Sequence, residues 1–229
     1  MIGILGAMEC EVEGLIAKLS EPQRISDGSF TWHRGELCGQ QVVIGRCGVG
    51  KVLAAASTQR LIDTFSPTSL ICTGVAGALH PELEIGDVVV SIDCVQHDMD
   101  ATPLGVRRGQ IPYTEYFTLA ADPKLLEAIA GFSSAEYRLR QGRILSGDQF
   151  ITHTIRQTHG EFFASLNGMA VEMEGAAIAL VCRLNSVPFI VVRTVSDRAD
   201  DSAVMDFDSL AALVAPRSCA VVEHLLAAL

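Results

Sequence analysis

Two carboxylates flank one methionine, Glu172 and Glu174 around Met173, in the run AVEMEGAAIALVCRL (170–184). There a strand-like stretch through Val171 meets the helical spacing of Ala176, Ala177, Leu180, Val181 and Leu184, which can face a core. Ligands of open α/β folds bind at the carboxyl ends of strands, so acids at such a junction are candidates for chemistry as well as for helix capping. Two further acids fall at comparable places. Glu11 follows the apolar run 2–5 and its Gly6 turn, and Asp197 ends PFIVVRTVSD, the most strand-like segment of the chain. If those strand ends share one rim, Glu11, Glu174 and Asp197 supply a general base, a hydroxyl-binding carboxylate and a general acid around one pocket. An ordinary aspartic acid titrates near ~4, so Asp197 as an acid must share a proton with the group it protonates or be desolvated enough to keep one. Ser196 beside it can help by hydrogen bonding. Arg193, inside the same strand, needs an anionic partner if buried. Glu9, Glu13 and Glu172 read as solvated or capping residues, Asp87 after Gly86 as a turn residue, and Met173 taken alone as core filler.

The elements that must position these groups alternate along the chain. After strand 2–5 comes an amphipathic segment with Val12, Leu15, Ile16 and Leu19, then a hairpin from 30–37 and 41–46. GVGK (48–51) opens a helix to Phe65. A buried strand, 69–73, runs into the small-residue turn GVAGAL, and 85–95 is another strand. The irregular stretch 96–119 is long enough to be a functional loop. Asp122 caps a helix begun by Pro123, 143–146 leads into GDQFI, and a helix near 155–166 precedes the central run. From Asp206 the spacing predicts a helix to Leu229, with a kink or break at Pro216. Continuous apolar strands alternating with helices predict an α/β fold, a three-layer sandwich whose mixed, largely parallel sheet is flanked by helices, in a single domain over 1–229.

A chain of 229 residues, 49% hydrophobic and 19% charged, can bury a large core. Its net charge of −10, with only 17 Lys and Arg, argues against nucleic-acid and anionic-membrane surfaces and fits a small neutral or cationic ligand. Seven scattered cysteines without a CxxC indicate reduced thiols, hence a cytoplasmic protein without disulfides or zinc. No signal peptide is read at MIGILGAMECEVEG, and no apolar stretch reaches membrane-spanning length without a charge. Rival chemistries fail on particular positions. GRCGVGKV (45–52) nearly spells a phosphate-binding loop, but Val52 stands where a magnesium-binding hydroxyl belongs. His97, Asp98 and Asp100 lack the remaining ligands of a metal site and read as structural. There is no GxSxG.

GILGAMECEVE, CGVGKVLAAA, TGVAGAL with IGDVVVS, HDMDAT, SGDQFI, VEMEGAAIA and VVRTVSDRAD occur in order over nearly the whole chain. Together they resemble the methylthioadenosine/S-adenosylhomocysteine nucleosidases of the purine nucleoside phosphorylase and hydrolase superfamily. The resemblance implies hydrolysis of the N-glycosidic bond of 5′-methylthioadenosine and S-adenosylhomocysteine, with 5′-deoxyadenosine as a further substrate. Asp197 would protonate adenine N7 and Glu11 would hold and deprotonate the attacking water. Glu174 would accept hydrogen bonds from the ribose hydroxyls, Met173 would pack on the sugar, Phe150 would stack on the purine and the Ile151 backbone would read its edge. Arg193 would stand beside the water and ribose, with Val49 on the sugar and thioether side. The resemblance further implies a homodimer in which loop 104–117 completes the partner's site, and neither metal nor organic cofactor. Val75 replaces a serine of the family's TGSAGG, a feature shared with futalosine hydrolases, and Leu104 and Val106 replace aromatic groups in the closing loop. A futalosine-type nucleosidase, a phosphorylase and a nucleoside-binding protein without turnover are the alternatives. The phosphorylase reading lacks the arginine expected near the second glycine turn.

Overall fold

The computed structural model describes residues 1–198 and 203–229, without the side chains of His153 and residues 203–208. Ala199 and Asp200, the end of the VVRTVSDRAD motif, lie outside the described residues.

The expected alternation of strand and helix is present. β1 (Ile2–Gly6) leads through a single 3₁₀ turn at Glu9–Glu11 into a short helix α1 (Glu13–Ile16), followed by β2 (Ser20–Asp27), β3 (Phe30–Leu37), β4 (Gln40–Arg46) and α2 (Lys51–Phe65). Next come β5 (Ser69–Ala78), β6 (Val88–Gln96), the two-residue β7 (Leu119–Ala120), α3 (Pro123–Ile129) and β8 (Leu139–Ser146). The chain closes with α4 (His153–Ser165), β9 (Gly168–Glu172), α5 (Gly175–Leu184), β10 (Phe189–Asp197) and α6 (Ala203–Ala228). Cys38 and Gly39 both take positive φ at the β3–β4 turn, the backbone twist that a tight hairpin favours.

Among the described residues, ten strands join one sheet, in the order β10-β6-β8-β9-β5-β1-β4-β3-β2 with β7 on β6. β10 also pairs with β5, so β10, β6, β8, β9 and β5 close into a ring from which β1, β4, β3 and β2 extend. Five pairings are parallel and five antiparallel, so the sheet is evenly mixed rather than largely parallel. The antiparallel share comes from the hairpin strands β2, β3 and β4, from the short β7 on β6, and from β9 on β5 and β10 on β6, which run against neighbours distant in sequence.

Alternate residues along the central strands pack into two cores. Leu70, Cys72 and Val191 face α2 and α5, whereas Ile71, Ile190 and Val192 face α1, α3 and α6. Three expectations change. GVAGA is no turn: β5 runs through it to Ala78, because small residues let β9 and β10 pair closely on both sides. α6 is one unbroken helix through Pro216; its packing on β10 and β5 offsets the roughly 3 kcal/mol that an interior proline costs. In α5 the buried face is Ala176, Ala177, Ile178, Ala179 and Cys182, while Leu184 is exposed. The stretch Ser209–Ala228 is long and apolar enough to cross a membrane, yet half of it is buried inside the fold.

Candidate active site

β1, β5, β9 and β10 end at one rim, and the side chains expected to act line one cavity there: Glu11, Val49, Val75, Phe150, Ile151, Met173, Glu174, Ser196 and Asp197. Arg193 lies beneath it, fully buried beside Glu172 and Glu174. All ten predicted site residues therefore converge. Ala7, Met8, Ala76, Gly77, Gln149, Val171 and Glu172 also line the cavity, and the sequence did not single out most of them for that place.

Glu11 is held from three sides. Its Oε2 accepts the Ala7 and Met8 backbone N–H groups (2.6 and 2.9 Å), and its Oε1 accepts that of Val75 (2.9 Å). Burial raises its pKa above the usual carboxylate value, although Arg193 and the three N–H groups pull the other way. A carboxylate offers about four lone-pair positions, so three donors leave room for one more, such as water. Gly74 makes this possible: a Cβ there would lie 2.4 Å from Glu11 Oε1 and 2.7 Å from Arg193 Nη1.

Arg193 answers to Glu172. The guanidinium Nε and Nη2 donate to Glu172 Oε2 at 3.2 and 2.5 Å, and Nη2 lies 3.7 Å from Glu174 Oε2. Its Nη1 finds no hydrogen-bond partner among the described residues, although it is buried. Glu172 also caps α5, accepting the Glu174 and Gly175 N–H groups at 3.0 and 2.7 Å, and takes the Ser146 hydroxyl on Oε1. The capping expectation holds for Glu172, but solvation does not: it is buried and is the anion that Arg193 requires. The signal lay in the sequence, since a buried strand arginine needed a carboxylate close by and three acids competed. Glu9 and Glu13 are exposed, as expected. Asp87 is the turn acid foreseen, accepting the Glu84 N–H and pairing with Arg138.

Glu174 Oε1 accepts the Gly50 N–H at 2.8 Å. Gly50 has φ +94°, a conformation that glycine adopts without strain. Burial and the neighbouring Glu172 charge push the Glu174 pKa up to about 8, against the pull of Arg193. Asp197 reaches the cavity through a register shift. Arg193, Thr194 and Val195 of β10 face Gly74, Val75 and Ala76 of β5, then Asp197 faces Gly77, leaving Ser196 as the extra residue of a bulge. Ser196 Oγ donates to Asp197 Oδ2 at 2.8 Å.

Beside the cavity, Lys51 pairs with Asp98, and His97 packs edge-on against Phe163, in keeping with structural roles. Among the described residues no group of three His, Cys, Asp or Glu could hold a metal ion.

Residues 1–227 match the family model of the phosphorylase superfamily. The chain is 41% identical over 232 residues to the 5′-methylthioadenosine/S-adenosylhomocysteine nucleosidase of Staphylococcus haemolyticus, covering 99% of each. It superposes with a TM-score of 0.94 and 35% identity on the 5′-methylthioadenosine/S-adenosylhomocysteine nucleosidase of Neisseria meningitidis in complex with methylthio-immucillin-A, covering 100% of this chain and 99% of that one. A futalosine hydrolase of Helicobacter pylori follows at a TM-score of 0.91 and 31% identity, covering 100% and 97%. Similarity of this extent, in sequence and in backbone, makes the chain a member of the phosphorylase superfamily and, within it, of the 5′-methylthioadenosine/S-adenosylhomocysteine nucleosidases.

Proposed function

We propose that the protein hydrolyses the N-glycosidic bond of 5′-methylthioadenosine and S-adenosylhomocysteine, and of 5′-deoxyadenosine, releasing adenine. The observation that carries this is the meeting of Glu11, Glu174 and Asp197 in one cavity with Phe150 and Ile151. Phe150 and the Ile151 backbone receive the purine. Asp197, backed by the Ser196 hydroxyl, protonates N7, so the base leaves neutral while positive charge grows on the sugar. Glu174 accepts the ribose hydroxyls, and those donors favour its charged form. Glu11, fixed by three N–H groups, uses its remaining lone pair to orient and deprotonate water. Arg193 Nη1, lacking a protein partner among the described residues, donates toward that water or the sugar. Met173 and Val49 pack against the sugar and its 5′-substituent.

Water is favoured over phosphate as the nucleophile. Glu172 and Glu174 lie against the Arg193 guanidinium and Glu11 stands close by, so the charge that would hold an anion is already engaged by carboxylates. The experiment is adenine release from several 5′-modified adenosines in phosphate-free buffer. Release at full rate supports hydrolysis; dependence on phosphate with a sugar 1-phosphate product, or binding without turnover, refutes it. A futalosine-type preference is the second reading, favoured by Val75 in place of a hydroxyl, and the same assay with futalosine separates the two.

The working unit in this reading is a cytoplasmic homodimer of single-domain subunits, with helices on both faces of the sheet as three layers. Support comes from exposed Leu104 and Tyr113 in loop 104–117, from exposed Val49, Val52 and Leu53 near the cavity mouth, and from Cys47, Cys72, Cys94 and Cys182, which are buried as thiols. A solution mass of one subunit would overturn the dimer.

A further inference from the structure

Lys51 opens α2 directly after Gly50, whose N–H holds Glu174. The Lys51 N–H donates to Asp148 Oδ1 at 2.7 Å, and its Nζ donates to Asp98 Oδ1 at 2.6 Å and lies 3.8 Å from Asp148 Oδ2. Asp98 Oδ2 in turn accepts the Asp148 N–H at 2.9 Å. Each residue thus touches the other two. The triangle joins three segments distant in sequence: the glycine turn behind Glu174, the 147–151 segment that presents Phe150 and Ile151, and the start of the loop after β6. None of the three residues lines the cavity. The Lys51 side chain is only 16% exposed and that of Asp98 26%, so the pair is better shielded than an ordinary surface ion pair. Contact is close on the turn itself, since a Cβ on Gly50 would meet Asp148 Oδ1 at 3.2 Å.

We propose that Lys51 is a positioning residue, whose ammonium, clasped by Asp98 and Asp148, locks the sugar-binding turn at Gly50–Glu174 to the purine platform at Phe150–Ile151. The proposal rests on the nucleosidase reading above. A nucleoside touches both halves of the site at once, so its binding needs their spacing fixed, whereas free adenine meets the platform and Asp197 but not the sugar-binding turn.

The test is steady-state adenine release from 5′-methylthioadenosine by the wild type, Lys51→Met, Lys51→Arg and Asp98→Asn, with thermal denaturation of each and calorimetry of adenine binding. A misplacement approaching 1 Å costs up to ~10²-fold in a positioned reaction. Lys51→Met is expected to raise KM about tenfold or more, with a smaller change in kcat and in adenine affinity, and Lys51→Arg to recover most of the loss. A role confined to helix stability would lower the melting temperature and leave KM unchanged, which overturns the proposal. So does equal impairment in Lys51→Arg and Lys51→Met. If Lys51→Met does not fold, Asp98→Asn is read by the same criterion, an unchanged KM being the refuting result. A wild type that releases no adenine sinks the nucleosidase reading instead.

Discussion

Gly74→Ala is the sharpest probe of the site. In an unobstructed strand, replacing glycine by alanine stabilises by about 0.4–1 kcal/mol, because the unfolded chain loses freedom. Here the new methyl would arrive 2.4 Å from Glu11 Oε1, 2.8 Å from Glu11 Cδ and 2.7 Å from Arg193 Nη1. Ordinary contact begins at 3.4 Å, so each group must retreat by about 0.5–1 Å. Glu11 cannot do so without stretching its bonds to the Ala7, Met8 and Val75 N–H groups, and Arg193 cannot without loosening its hold on Glu172. A hydrogen bond to a charged group contributes about 1.5–3 kcal/mol, so weakening these contacts outweighs the entropic gain. The net expectation is a loss of about 1–2 kcal/mol, a fall of roughly 2–8 °C in Tm for a chain of this size. Activity should suffer more, because the water-activating carboxylate itself moves; about 10²-fold in kcat is expected. Adenine binding should persist, since the atoms nearest the new methyl belong to Glu11 and Arg193 and not to Phe150 or Ile151. Adenine release and melting curves measured on the same preparation decide it: a variant within threefold of wild-type kcat would refute the close packing of Glu11 and Arg193 over this glycine.

Asp197→Asn should fold normally and lose at least ~10²-fold in kcat, checked by single-turnover adenine release; near-normal turnover removes Asp197 from the acid's role. Glu172→Ala leaves the buried Arg193 without its principal anion and should cost about 3–5 kcal/mol, read by urea denaturation. An unchanged midpoint would mean that Glu174 alone suffices. For Glu174 the pKa is raised in the folded state to about 8 from an ordinary 4.5, so between these values the folded protein keeps a proton that the unfolded chain has released. Its contribution to stability is full below about pH 4.5 and is lost as pH rises through about 8. The ligand-free wild type should therefore lose more Tm between pH 5 and 9 than Glu174→Gln does; parallel curves would contradict this.

Much of the site was legible because its acids sit at junctions where apolar runs change period. Glu11 after Gly6, Glu174 before α5 and Asp197 at the end of β10 are visible as such without coordinates. Family motifs then supplied Phe150, Ile151 and Val49, which carry no chemical signature of their own. What stayed hidden depends on pairing between distant strands. Nothing local says that Glu172 turns inward to Arg193, because a carboxylate two positions from another reads equally well as a solvated cap. GVAGA looks like a turn until two neighbours pair with it, and Pro216 looks like a kink or break until sheet packing holds α6 together. The equal share of antiparallel pairings was likewise invisible, since strand direction in β9 and β10 follows from how the chain returns and not from composition. The bulge at Ser196, which delivers Asp197, has no sequence mark at all.

Ring closure by β10 and β5 also bears on self-association during expression. A sheet normally ends in two margins of unpaired backbone, each a template for another molecule's strand. With five strands closed on themselves, the extension from β5 ends in one outer strand, β2, beyond the β3 ladder. That strand carries Glu21, Pro22 and Arg24, is mostly exposed, and has an irregular register between Ser20 and Gln23. Charge, proline and irregularity are the features that discourage edge-to-edge stacking. Replacing Pro22 and Arg24 with valines would strip that guard and invite fibrous precipitation while leaving the interior untouched.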